Sequence, residues 1–124
     1  MKLEEQVVIV TGAGQGIGLG IAQAFARAGT AVVVNDINAE TSEAAAQSIL
    51  TAGGRAVAAP ADIAVREGVI AMCDAAVAAF GKITTLVNNA GWFAFTPFLE
   101  QTPEAWQHTL DVDLSGIFHC TQVA

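Results

Sequence analysis

The chain has 124 residues, of which 53% are hydrophobic and only 14% charged, against the ~25% charged that soluble domains usually carry. One domain (residues 1–124) can bury a real core at this length, with apolar surface left over for association. A formal net charge of −7, with five Lys and Arg in all, would repel nucleic acid and anionic membrane alike, so neither is an expected partner.

Cys73 and Cys120 are too few and too far apart in sequence for a disulfide framework or a metal site. No signal-peptide pattern precedes the first predicted strand, and the expected compartment is a reducing cytoplasm. No apolar run approaches the ~20 residues that span a bilayer.

In chain order, Val7 to Val10 is a β-branched run suited to a strand buried on both faces of a parallel sheet. It breaks into Thr11-Gly12-Ala13-Gly14-Gln15-Gly16-Ile17-Gly18. Gly12 permits a tight turn, Gly16 has no Cβ to keep a pyrophosphate off the backbone, and Gly18 lets the next helix approach the strand. The free N–H groups and positive dipole end of that helix attract phosphate. The helix is predicted from Gly16 to Ala28, burying Ile17, Ile21 and Phe25, and stopping at Gly29.

A second β-branched run, Ala31 to Asn35, ends in Asp36, 18 residues after Gly18. That distance fits a βαβ unit whose second strand delivers an acid to a cofactor ribose. A carboxylate there accepts hydrogen bonds from both ribose hydroxyls and repels a 2′-phosphate. Neither the glycine loop nor Ile37-Asn38 offers an Arg or Lys to reverse that preference. The expected cofactor is therefore NAD rather than NADP.

Asn38 is the predicted cap of a second helix, with Glu40 in its first turn, ending at Gly53-Gly54. Arg55 to Pro60 reads as a third strand. After Asp62-Ile63 comes a helix whose Val69, Cys73, Ala76, Val77 and Phe80 form one apolar stripe, closed by Gly81. Cys73, within that stripe, reads as a small core residue. Thr85 to Val87 is the fourth strand and feeds into Asn88-Asn89-Ala90-Gly91. Alternating strands and helices with short breaks predict an α/β fold, a doubly wound parallel sheet.

Taken together, the Thr11–Gly18 motif, Asp36, Asp62-Ile63 and Asn88–Gly91 resemble the N-terminal half of a short-chain dehydrogenase/reductase over essentially the whole chain. The resemblance implies a truncated Rossmann-type fold of three αβα layers with strand order 3-2-1-4. It places Gly12, Gln15, Gly16, Ile17 and Gly18 around the pyrophosphate, Asp36 on the adenosine ribose and Asp62 and Ile63 near adenine. Asn89, Ala90 and Gly91 would run along the cofactor, and Asn88 would brace the sheet. Gly91-Trp92 and Pro97-Phe98 are similar to members acting on 3-oxoacyl or 3-hydroxyacyl thioesters.

Family members also carry a catalytic Ser and a Tyr-x-x-x-Lys in a second half, whereas these 124 residues contain no tyrosine. With no phenol to pass a proton and no Lys to lower its pKa, negligible dehydrogenase catalysis is expected if these residues are the whole protein. Val112-Asp113-Leu114 departs from the family's Val-Asn-Leu and adds a charge where an Asn supports a proton relay. Asp111 and Asp113 point about 200° apart on an α-helix and form no metal pair. His108 and His119, three helical turns apart, share a face on the same geometry but have no third ligand beside them.

Two further functional classes stand beside the oxidoreductase reading. One is a non-catalytic NAD-binding module that partners with another chain; the other is an assembly protein that has kept only the fold. Association is expected in any of these cases. The last helix repeats Leu110, Leu114, Ile117 and Phe118 at threefold and fourfold spacing, and the fourth strand is an open edge, so a homo-oligomer through one of them is predicted.

Overall fold

Four short apolar runs become strands: β1 (Val7–Val10), β2 (Ala31–Val34), β3 (Arg55–Ala58) and β4 (Thr85–Val87). In the computed structural model, which describes residues 1–124, they lie parallel in the order β3-β2-β1-β4. Val8 stands opposite Val32 on one side and Thr85 on the other, and Val33 stands opposite Val57. Every residue of β1 and β2 is buried, as central strands covered on both faces must be.

Helices supply both covers. Val8, Val10, Val32 and Val34 pack with Ala22 of α1 (Gly16–Arg27) and with Ala45, Ala46 and Ile49 of α2 (Ala39–Thr51). On the opposite face, Val7, Ile9, Ala31 and Val33 meet Val69, Met72, Cys73 and Ala76 of α3 (Arg66–Phe80). Cys120 of the last helix joins this second core. Strand alternation thus feeds two cores, and the result is the three-layer αβα arrangement predicted.

Helix ends follow local chemistry. The Asn38 side chain accepts the Thr41 N–H at 3.1 Å, and Thr102 accepts the Ala105 N–H at 3.1 Å with Pro103 opening α4 (Pro103–Leu110). A π turn, Asp111–Ser115, then separates α4 from α5 (Gly116–Val123).

Several expectations need correction. β3 stops at Ala58, before Pro60, which has no N–H to continue a ladder. In α3, Val77 is 49% exposed and Met72 takes the core place. Ile17 does not join Ile21 and Phe25 against the sheet but is 78% exposed, because the first turn of α1 overhangs the strand ends. His108 and His119 do not act as one face. The wider i→i+5 turn changes the helix phase between them, so the His108 ring lies edge-on to Trp92 while Nδ1 of His119 sits 3.5 Å from the Arg66 guanidinium.

Candidate functional site

Parallel strands all end on one edge of the sheet, and the loops leaving those ends meet there. A cavity of about 420 Å³ opens at this edge, within the range of small-molecule pockets. All eleven residues singled out from the sequence line it: Gly12, Gln15, Gly16, Ile17, Gly18, Asp36, Asp62, Ile63, Asn89, Ala90 and Gly91.

Two glycines are forced by the geometry of the first loop. Gly12 has φ +62°, and a Cβ on it would come 2.8 Å from the Cα of Ala90. Gly18 needs no unusual φ, but a Cβ there would run into the carbonyl oxygen of Gly12 and the Asn89 amide. The start of α1 is therefore pressed onto the end of β1. The N–H groups of Gly16, Ile17 and Gly18 reach no backbone acceptor, and a Cβ on Gly16 would meet nothing within 4 Å. These are the properties of an anion cradle: free donors, a positive helix end and open space before them.

Asp36, at the end of β2, is held from two sides. Its Oδ2 accepts the Gly14 N–H at 3.0 Å and its Oδ1 accepts the Asn38 N–H at 3.1 Å. Asn35 behind it is buried and donates to the carbonyls of Ala59 and Ala61 at 3.0 and 3.2 Å, tying β2 to the loop after β3. In that loop Asp62 Oδ1 accepts the Ala64 N–H at 2.9 Å, and Ile63 is buried at the cavity wall.

The brace after β4 is Asn89 and not Asn88. Asn89 Nδ2 donates to the carbonyls of Thr11 and Gly12 at 3.0 and 3.2 Å, and the Thr11 hydroxyl accepts the N–H groups of Asn89 and Ala90, both at 3.1 Å. Asn88 is exposed and reaches only Thr121, at 3.3 Å. The difference follows from strand alternation, which turns one amide toward β1 and its neighbour away.

Six lining residues lay outside the sequence prediction: Asn35, Ile37, Ala61, Trp92, His108 and Val112. The first three flank predicted positions. Val112 opens the Val112-Asp113-Leu114 motif but was not assigned to the cavity, and His108, four residues before it, carried no motif that marks it. Asp113 Oδ1 accepts the Trp92 N–H at 2.8 Å, so the side chain in the departing Val-Asp-Leu motif holds the loop that forms this wall. Asp36 and Asp62 line the cavity, and no Lys or Arg does.

The cysteines lie away from this edge, in the core beneath α3 and α5. Burial pushes the Cys120 thiol up to about 11, with Cys73 adding to the shift. Burial, then Asp74, raises Cys73 as well. Both are free thiols held protonated, as the stripe reading of Cys73 requires.

A sequence model described as short chain dehydrogenase matches residues 6–124. An uncharacterized oxidoreductase of Methylorubrum extorquens is 40% identical over 124 residues, 99% of this chain and 50% of that protein. A 7alpha-hydroxysteroid dehydrogenase of Escherichia coli K12 is 37% identical over 99% of the chain and 48% of its own length. A 3-oxoacyl-(acyl-carrier-protein) reductase of Synechocystis is 39% identical over 97% and 49%. The chain thus spans about half the length of the curated relatives it matches.

Proposed function

The chain belongs to the short chain dehydrogenase family, and from that premise we propose that it is the NAD-binding part of an oxidoreductase acting on an alcohol or ketone, with an acyl thioester as a candidate substrate. The observation that carries this reading is Asp36, held at the cavity by two backbone N–H groups with no Lys or Arg in the lining.

Each oxygen of the Asp36 carboxylate keeps an acceptor position beyond the one already used, enough for a vicinal diol. A 2′-phosphate would bring negative charge against that carboxylate without a counter-cation. Gly16, Ile17 and Gly18 offer N–H groups to a diphosphate, while Asp62, Ile63, Gly91 and Val112 wall the slot into which the adenosine end fits. When bound, the nicotinamide ring supplies the hydride acceptor or donor. These 124 residues contain no phenol, so on this reading they bind the dinucleotide without turning over substrate. A second reading is favoured by exposed apolar side chains at the start of the last helix, where Leu114 of the π turn and Phe118 of α5 are 65% and 56% exposed. On that reading the chain also associates with itself.

Two buried free thiols suit a reducing compartment such as the cytoplasm, and no helix is long and apolar enough to cross a membrane.

Calorimetric titration with NAD and NADP is the test. NAD is expected to bind more tightly, and Asp36→Ala to bring the two affinities together. Equal affinities for the unaltered chain would refute the role of Asp36. Hydride transfer in proportion to the amount of highly purified chain would refute the inactivity.

A further inference from the structure

Gly14 is a glycine that backbone conformation does not explain. Its φ lies outside the left-handed region, where Gly12 and Gly16 do lie, so any residue could adopt the backbone. Space explains it instead. A Cβ on Gly14 would stand 2.7 Å from Asp36 Oδ2, 2.9 Å from Asp36 Cγ and 2.5 Å from the Thr41 hydroxyl oxygen. The vacant side-chain position of residue 14 is thus where the Asp36 carboxylate and the first turn of α2 converge.

Both neighbours are anchored there. Asp36 Oδ2 accepts the Gly14 N–H itself, at 3.0 Å. Thr41 is fixed to the cap of α2: its N–H donates to Asn38 Oδ1 and its hydroxyl to the Asn38 carbonyl, both at 3.1 Å. The same Asn38 donates its N–H to Asp36 Oδ1 at 3.1 Å. A chain of hydrogen bonds therefore runs from the glycine loop through the Asp36 carboxylate and Asn38 to the start of α2, and the open side of Gly14 lies between its two ends. A methyl at position 14 would press on the Thr41 hydroxyl and the Asp36 carboxylate together, and with Thr41 fixed to the α2 cap by two bonds the Asp36 side chain is the member that must move.

We propose that Gly14 is a specificity-determining residue, acting with Thr41 to clamp the Asp36 carboxylate in the orientation that accepts an unphosphorylated ribose diol and excludes a 2′-phosphate. The proposal rests on the NAD reading above and adds to it a cause: discrimination depends on the carboxylate being fixed before the ligand arrives, and the fixing group is an absent side chain. Preorganised acceptors spare the ordering cost on binding.

The test is a double-mutant cycle read as the ratio of the dissociation constants of NADPH and NADH, from fluorescence titration, with thermal melting to verify folding. Gly14→Ala should keep the fold and lower the ratio about tenfold, ~1.4 kcal/mol of discrimination. In an Asp36→Ala background the same substitution should leave the ratio within about twofold, because the group it displaces is gone. Thr41→Leu crowds the same space from α2 and should lower the ratio in the same direction; it serves as the deciding variant if Gly14→Ala does not fold. A folded Gly14→Ala with an unchanged ratio overturns the proposal, and so does an equal effect with and without Asp36. A native chain with no preference between the two dinucleotides would instead refute the reading of Asp36, which separates the two failures.

Discussion

At the scale of single residues, three glycines in the first turns of α1 have three different causes and predict three different outcomes on replacement by Ala. Gly18 faces the fixed carbonyl of Gly12, so a methyl must force α1 off β1; the expected loss is roughly 2–3 kcal/mol, in the range for overpacking. Gly16 has free space but a φ of +58°, and the expected loss is about 1–2 kcal/mol of backbone strain. Gly20 has neither constraint, and Ala there should stabilise the helix by about 1 kcal/mol. Denaturant unfolding of the three variants gives the order directly, and any other order would refute the assignment. The buried thiols yield a pH prediction of the same kind. Because the folded chain holds Cys120 protonated up to about 11, above its ordinary 9.0, this contribution to stability is complete below pH 9 and is lost as pH rises through 11. Cys120→Ala should flatten stability across that window. Thiol reagents at neutral pH should modify the native chain far more slowly than the denatured one.

Among the elements, the strands and the glycine loop with Asp36 were legible in the residues themselves, because each rests on a local constraint that has few solutions, whereas the strand order and the places of Asp62, Ile63, Asn89, Ala90 and Gly91 came from the family resemblance. A β-branched run that breaks into glycines and an acid at the end of the next run describe one βαβ unit, and short breaks force its neighbours to lie beside it. Packing of a particular helix turn is a different matter. Ile17 fits the apolar stripe of α1 by period alone, yet periodicity cannot tell that the first turn projects past the sheet. The π turn at Asp111–Ser115 has no marked sequence signature, and with it went the positions of His108, Val112 and His119. Asp113 shows why the turn matters: from there its carboxylate takes the Trp92 N–H at 2.8 Å, joining the last helix to the cavity wall. Asp113→Asn retains an acceptor oxygen and should leave stability nearly unchanged, whereas Asp113→Leu strands the N–H at a cost of about 1–2 kcal/mol. In a domain near this size that is a fall in melting temperature of roughly 4–10 °C. Similar melting points for the two variants would mean that the bond contributes nothing.

For the whole molecule, the apolar surplus in the composition shows itself around the π turn and the first turn of the last helix. Leu114 and Phe118 are 65% and 56% exposed, Ile117 is 39% exposed and Trp106 is 62% exposed. Leu114, Ile117 and Phe118 recur at threefold and fourfold spacing, and an exposed apolar face of this kind marks an interaction site more often than a monomer's ordinary exterior. β4 offers the alternative, since it pairs with β1 on one side only and presents free backbone groups on the other. The two routes differ in reach. β4 is three residues long, so edge pairing alone adds few hydrogen bonds, whereas a helix pair about a twofold axis brings each exposed side chain into contact twice. A stable assembly should bury at least ~1,000 Å² in total, which the helix face supplies more readily than a three-residue edge. Sedimentation over a wide concentration range should therefore show a species heavier than 12.7 kDa whose population rises with concentration. Leu114→Asp should abolish it, because an unpaired carboxylate would be buried in the contact, and Thr85→Asp should leave it intact. The reverse pattern would assign association to the sheet edge, and a sharp monomer at every concentration would refute self-association altogether.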